Sequence, residues 1–346
     1  MTCNEKLLVA MSGGVDSTAA ASFLLDRGFK CAGAHLSLFE GAGEAESARL
    51  AAQRLGIPFH LVEMKDRFAR EVIDQFAESY LRGETPNPCV VCNKHIKFGA
   101  LLEKALELGY PAIATGHYAR LEFANNRWLL RKALDETKDQ SYVLYTLTQS
   151  QLARIHLPLG NMTKTQIRDY AREKGLPNAN KSESQDICFI PDGDYAAFLE
   201  RYTGQPLRPG DFIDPQGRVL GRHRSTACYT LGQRKGLGLA LPQPGYVCEI
   251  NPEENTVTVG EEALLFGKTL HARGVNLIAC DTLTQPLRCK AKIRYRQTEQ
   301  WAIAEQIDQD TLCVTFDAPQ RAITPGQAVV LYDGEVVVGG GTIYIS

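Results

Sequence analysis

The stretch "LLVAMSGGVDSTAAASFLL", residues 7–25, decides how the first part of this chain folds. Its opening five residues are apolar and uncharged, which reads as a buried strand ending at Met11; from Asp16 the spacing turns helical. Between strand and helix stands Ser12-Gly13-Gly14-Val15-Asp16-Ser17. Glycines let backbone approach an anion closely, and a helix N-terminus offers free N–H groups with partial positive charge. Ser12 and Ser17 add hydroxyl donors, and Asp16 offers a carboxylate for a metal ion on bound phosphates. The lysine of a Walker loop is missing. A tight turn packed with small residues is the plainer alternative, but packing alone requires neither the aspartate nor both serines.

Working outward, "CAGAHLSLF" (31–39), "FHLVEM" (59–64) and "PAIATGH" (111–117) read as further strands. Helical segments separate them: "AESARLAAQRLG" (45–56), "DRFAREVIDQFAESYLRG" (66–83) and "CNKHIKFGALLEKALELG" (92–109). Strand–helix alternation at this spacing predicts a parallel sheet covered on both faces. "RLEFANNRWLLRKA" (120–133) predicts a hairpin turning at Asn125-Asn126, and Thr163 with Gln166 predicts a capping box. Beyond Gly204, Pro and Gly become dense and short alternating runs replace helices. Two β parts are expected there, the second a barrel. The division predicted is 1–203, an α/β unit with a Rossmann-like parallel sheet; 204–266, a small central β-rich unit; and 267–346, a C-terminal β-barrel.

The 346 residues suffice for several cores. No apolar run approaches a membrane span, and the N-terminus carries no targeting pattern, so a cytoplasmic protein is expected. Ten cysteines in a reducing compartment predict buried thiols with a few reactive or ligating ones, not a disulfide framework. Cys3, Cys31, Cys228, Cys248, Cys280, Cys289 and Cys313 are read as buried and structural. The formal net charge of −2 neither advertises nor excludes a nucleic-acid partner.

The loop resembles the pyrophosphatase (PP) loop of enzymes that split ATP between its α- and β-phosphates to adenylate a carbonyl oxygen. Further strings narrow the choice: "TPNPCVVCNKHIKF" (85–98), "ATGHYAR" (114–120), "KDQSYVLYTL" (138–147) and "KSESQDICFIP" (181–191). With "TLGQRKGLG" (230–238), "KIRYRQ" (292–297) and "PGQAVVLYDG" (325–334), they resemble the bacterial tRNA-specific 2-thiouridylase family along essentially the whole chain. The resemblance implies a PP-loop ATP pyrophosphatase domain, ATP with Mg²⁺, tRNA as substrate, and a sulfur-donor protein, either a desulfurase or a sulfur relay.

It also implies roles. Ala10, Met11, Ser12, Gly13, Gly14, Val15, Asp16, Ser17 and Leu36 would line the nucleotide site, with Gly116 closing its adenine side. The family usually has Met near Leu36, and Leu keeps the apolar contact. Asn87, Pro88 and Cys89 would approach the target base. His117, Lys138, Asp139, Gln140, Arg294, Tyr295, Arg296 and Gln327 would touch tRNA. Cys188 would carry a persulfide, and Cys92 would release the sulfur by pairing with Cys188.

Chemistry supports this independently. Replacing the C2 oxygen of uridine by sulfur needs a leaving group, which adenylation supplies, and a thiol or persulfide nucleophile. Cys92 reads as sitting at a helix start, which lowers a thiol pKa. Cys89 raises a second route, since many family members carry Asp there. Cys89, Cys92 and Cys188 make three thiols, enough for a [4Fe-4S] cluster with one open iron. The persulfide and the cluster both stay open on sequence.

In "PLRCKAKIRYRQ" (286–297) Arg288, Lys290, Lys292, Arg294 and Arg296 alternate with other residues. On one strand all five cations would share a face, about 7 Å apart, and repel. Phosphates are one natural partner; a solvated face with acidic cross-strand neighbours is the other. The expected activity is therefore ATP-dependent thiolation of the wobble uridine. The rivals are an adenylating ligase for a small metabolite and a non-catalytic nucleotide-binding or sulfur-storage module.

Overall fold

A computed structural model of the chain describes residues 5–39, 42–177 and 187–345. Strand β1 (Lys6–Ala10) is buried along its middle. It leads through the loop into α1 (Val15–Asp26), then β2 (Lys30–Ser37), α2 (Ala42–Arg54) and β3 (Phe59–Glu63). A long helical arm follows: α3 (Lys65–Phe68), a π-helical turn π1 (Ala69–Ile73) and α4 (Asp74–Leu81). A second arm runs through α5 (Pro88–Cys92), π2 (Asn93–Ala100) and α6 (Leu101–Glu107) to β4 (Ala112–Ala114). The sequence predicts each arm as one plain helix; both contain a π segment, a widening with functional associations.

The hairpin β5 (Arg120–Ala124) and β6 (Arg127–Arg131) turns at Asn125 and Asn126, both at positive φ as a tight two-residue turn needs. Then come α7 (Gln149–Leu152), β7 (Ile155–His156), α8 (Lys164–Glu173) with Thr163 and Gln166 in a capping box, and α9 (Tyr195–Thr203). The first sheet has the order β3-β2-β1-β4-β7, and every pair is parallel. Connections from β1 therefore leave in opposite directions on either side of it. Open α/β sheets bind ligands at such a switch point, outside the carboxyl ends of the strands.

The central part is a four-stranded sheet of β8 (Gly210–Ile213), β9 (Val219–His223), β10 (Tyr246–Asn251) and β11 (Thr256–Gly260). The last part holds β12 (Phe266–Leu277), β13 (Leu287–Lys292), β14 (Gln300–Gln306), β15 (Thr311–Arg321), β16 (Ala328–Asp333) and β17 (Val336–Tyr344). These close into a six-stranded antiparallel barrel through β12–β17 pairing. Closure depends on Gly339 and Gly340. A Cβ there would stand 2.2 Å from the carbonyl oxygens of Asn276 and Val329 respectively.

The hairpin β5–β6 joins the barrel sheet: Arg131 pairs with Val336, adding two strands. One expectation needs correction. The cationic strand ends at Lys292, so only Arg288, Lys290 and Lys292 share its outer face, while Arg294 and Arg296 lie beyond it. Gln297 Oε1 accepts from Ile293 N, turning the chain there.

The largest core spans the parts. Leu8, Ile113, Phe98 and Tyr142 pack in one cluster with Ala328, Val330, Tyr332 and Val337 of the barrel. The Tyr142 hydroxyl donates to Ala328 O at 2.8 Å. Asn276 Nδ2 donates to the carbonyls of Tyr145 and Leu147.

Candidate active site

The phosphate loop lies at the switch point. Gly13 has φ +73°, and a Cβ there would meet the Ser47 Cβ at 2.8 Å, so α2 packs directly on the loop. Ser17 Oγ donates to Gly14 O and accepts from Ser12 N, which holds the loop curled. Gly116, just past β4, closes the opposite side: a Cβ would stand 2.9 Å from Ser17 N. No larger residue fits against that peptide.

Asp16 does not stand alone. The Lys164 ammonium donates to both of its oxygens, at 2.8 and 2.7 Å, and the Tyr118 hydroxyl to one of them at 2.8 Å. Lys164 is buried. Its backbone N–H bonds Asp135, and its own residue opens α8 behind the Thr163 cap. Sequence reading passed over both Lys164 and Tyr118. A lysine in a helix's first turn opposes the macrodipole, and that was the available signal.

Leu36, near the carboxyl end of β2, lies two residues past Ala34, the parallel partner of Ala10 where β1 runs into the loop. It packs against the cluster of Phe68, Val72, Cys92 and Ile96, which Val91 and Phe189 also close. Phe189 sits edge-on to Phe68 and Phe76, with ring centres 5.7 and 5.3 Å away. Residue 189 thus anchors its neighbour Cys188 beside the Cys92 wall. About a hundred residues of sequence separate these thiols, and the fold brings them within electrostatic reach: burial first, then the charge of Cys92 and, less, that of Cys89 push the Cys188 thiol up.

The details differ from expectation. Cys92 ends α5 rather than starting it; Cys89 is near the start, its N–H bonded to the capping Asn87 side chain at 3.1 Å. Burial first, and Cys89 second, push the Cys92 thiol up, while Lys97 pulls it down. Cys188 keeps an exposed face, yet the protein around its sulfur pushes it to about 11. Among the described residues no group of three Cys, His, Asp or Glu is placed to hold a metal ion, Cys89, Cys92 and Cys188 included. Of the cysteines read as structural, Cys31 and Cys289 are buried, whereas Cys228, Cys248, Cys280 and Cys313 are only partly so. Cys3 lies outside the described residues.

His117 stands by the Phe98 ring at 5.5 Å and exchanges a hydrogen bond with Thr115 at 2.8 Å. Burial holds its pKa well below the usual value, so it is neutral.

With that geometry in place, relatives can be weighed. Residues 5–192, 196–261 and 267–343 match three families, described as a tRNA methyl transferase HUP domain, a tRNA methyl transferase PRC-barrel domain and an aminomethyltransferase β-barrel domain. The chain is 46% identical to the tRNA-specific 2-thiouridylase MnmA of Acetivibrio thermocellus over 98% of this chain and 99% of that one. Identity to the enzyme of the same name from Carboxydothermus hydrogenoformans is 48%, over 98% and 97%. The chain belongs to the tRNA-specific 2-thiouridylase family. The domain descriptions speak of methyl transfer, whereas the full-length relatives are named for thiolation. The 2-thiouridylase of Clostridioides difficile, 43% identical over 99% of both chains, agrees.

The residues that the family resemblance assigns to tRNA lie in several places. The Asp139 carboxylate caps its own turn, accepting from Ala133 N and Ser141 Oγ, and Gln140 accepts from Tyr118 N. Lys138 is half-buried beside them. Arg294 donates to the carbonyls of Leu231 and Ala322 and to Thr324 Oγ1, fastening the central part to the barrel. Tyr295 and Arg296 are exposed on the turn. Gln327 Nε2 donates to Thr85 O at 2.7 Å, and Thr85 N donates to Pro325 O. The barrel therefore pins the segment leading to Asn87, Pro88 and Cys89. On the cationic strand, Arg288 is paired bidentately with Asp317, and Lys292 is half-buried over the Tyr142 ring.

Proposed function

We propose that this chain is an ATP-dependent tRNA sulfurtransferase that adenylates C2–O of the wobble uridine and replaces the oxygen with sulfur carried on Cys188. One observation supports the reading: Leu36, two residues past the Ala34 that pairs with Ala10 at the mouth of the phosphate loop, packs on the apolar wall holding Cys92, so activation and sulfur delivery would share a site.

ATP would seat its phosphates on the loop from Ser12 to Ser17, with Leu36 lining the nucleotide and Gly116 closing its adenine side. Lys164 stands ready to move from Asp16 to a phosphate oxygen. Of four lone-pair positions on a carboxylate, Asp16 uses three here, so it fits as the protein ligand for Mg²⁺. When bound, that ion neutralises phosphate charge. The uridine C2 oxygen attacks the α-phosphorus and pyrophosphate leaves. The terminal sulfur of a Cys188 persulfide then attacks C2, and the C2–O bond breaks with its electron pair going to AMP. Cys92 thiolate attacks Cys188 Sγ. The bond to the transferred sulfur breaks, its electron pair completes the thiocarbonyl, and a Cys92–Cys188 disulfide remains. A dithiol reductant must reopen it, and a sulfur-donor protein must recharge Cys188.

Asn87 and Pro88 would meet the base, with Cys89 as a third thiol at the rim. A cluster route finds no support, because among the described residues no three-ligand metal group stands at these thiols. Tyr295 and Arg296, exposed on the barrel, suit tRNA contact; Asp139 and Gln140 act through the turn they hold. The catalytic unit is taken as 1–203, since α9 packs Phe198 on Phe76 and Tyr195 on Tyr80, with 204–266 and 267–346 following. No helix among the described residues is long and apolar enough to cross a membrane, and the cytoplasm is where tRNA meets reduced thiols.

The test is single-turnover thiolation with tRNA, ATP, Mg²⁺ and a persulfide-generating donor. Wild type is expected to release AMP and pyrophosphate with one sulfur per turnover, and Cys188→Ser to form no thiouridine. A thiolation-competent Cys188→Ser enzyme refutes the assignment.

A further inference from the structure

Lys97 takes part in none of these steps. It lies in π2, where residues five apart stand about one turn apart, and Cys92 to Lys97 spans one such turn. The residue is half-buried, and no carboxylate among the described residues pairs with it. Its charge acts on three groups from three separate elements: Cys92 ending α5, Cys188 ahead of α9, and His117 after β4. Phe98, its chain neighbour, faces the His117 ring. Cys92 in turn shares its apolar wall with Phe189, the chain neighbour of Cys188, so helix spacing and packing set the segment carrying Lys97 against both thiols.

A partly desolvated cation without a counter-ion is costly. The ionisable groups whose charge meets Lys97 here are thiols and a neutral imidazole. Sulfur transfer places negative charge on that spot twice, first on the persulfide and then on the attacking Cys92.

We propose that Lys97 is the counter-ion of the transferring sulfur, holding the Cys188-borne sulfur anionic until it attacks and then favouring the Cys92 thiolate that releases it. The proposal rests on the reading of Cys92 and Cys188 as the sulfur pair. Among the described residues, the side chains whose charge acts on Cys188 are Cys92, Lys97 and Cys89, and Lys97 is the one cation of the three.

The test needs neither tRNA nor ATP. Wild type, Lys97→Met and Lys97→Arg are alkylated with iodoacetamide across the alkaline range, and each site is read by mass spectrometry. Cys313, on the barrel's outer face, serves as internal reference. At about pH 8, Lys97→Met is expected to slow alkylation of Cys188 about fivefold and to move its pH profile upward. Lys97→Arg should stay within about twofold of wild type, and Cys313 should not change. Equal Cys188 rates in wild type and Lys97→Met overturn the proposal. So does a slowing shared by Cys313, or one that arginine fails to restore. Failure of the sulfur-pair reading shows separately, as thiolation by Cys188→Ser.

Discussion

At the scale of single residues, the contact between Lys164 and Asp16 governs the phosphate loop. Removing the ammonium leaves a partly buried carboxylate with only the Tyr118 hydroxyl. Lys164→Met is expected to cost about 2 kcal/mol in stability, below the full penalty for a buried pair because Asp16 keeps some solvent. It should lower ATP–pyrophosphate exchange at least about tenfold and leave tRNA affinity unchanged; a normal exchange rate would separate Lys164 from the nucleotide. Cys188 makes a second expectation. With its thiol raised to about 11 by surrounding protein, the resting enzyme holds it protonated at neutral pH. Its alkylation rate should climb about tenfold per pH unit below that value, and a plateau near neutrality would contradict it. The loop residues were legible because glycine, serine and aspartate in that order have few other uses after a strand. Lys97 was not, since a lone lysine carries no signal until folding removes its carboxylate partners, and Lys164 gave only its unfavourable place in a helix's first turn.

At the scale of elements, the strands and hairpin were readable from period and turn chemistry, as Asn125 and Asn126 illustrate. The π segments were not, because a one-residue widening leaves the apolar spacing of a helix nearly intact. That widening explains why Cys92 appeared at a helix start: α5 begins earlier, at Pro88, and runs into π2 without a break. Asn87 and Gln327 fix α5 from both sides. Asn87→Ala removes the cap on Cys89 N and should cost about 1 kcal/mol. Gln327→Ala frees the Thr85 carbonyl and should slow thiolation several-fold with ATP–pyrophosphate exchange intact. Parallel loss of both activities would place Gln327 in general stability instead.

At the scale of the molecule, acid should weaken the fold. Burial is the first cause of lowered pKa at His95, His117, His156 and His223. The unfolded chain therefore binds more protons than the folded one just below the ordinary histidine pKa, so stability is present above it and is lost as pH falls. Melting temperature should drop between about pH 7 and about pH 5, and His117→Gln should reduce the slope. An unchanged melting temperature over that window would be inconsistent with neutral buried imidazoles. The three-part division could be read from composition. The bond between parts could not, because pairing of Arg131 with Val336 joins residues more than two hundred positions apart. Arg120 and Arg131 both reach Glu335, and Arg127 donates to the carbonyls of Ile278 and Cys280. For anyone building chimaeras, residues 120–131 and the barrel are one heritable piece. A graft that exchanges barrels between relatives must carry that hairpin along, and a lineage that alters one must alter the other.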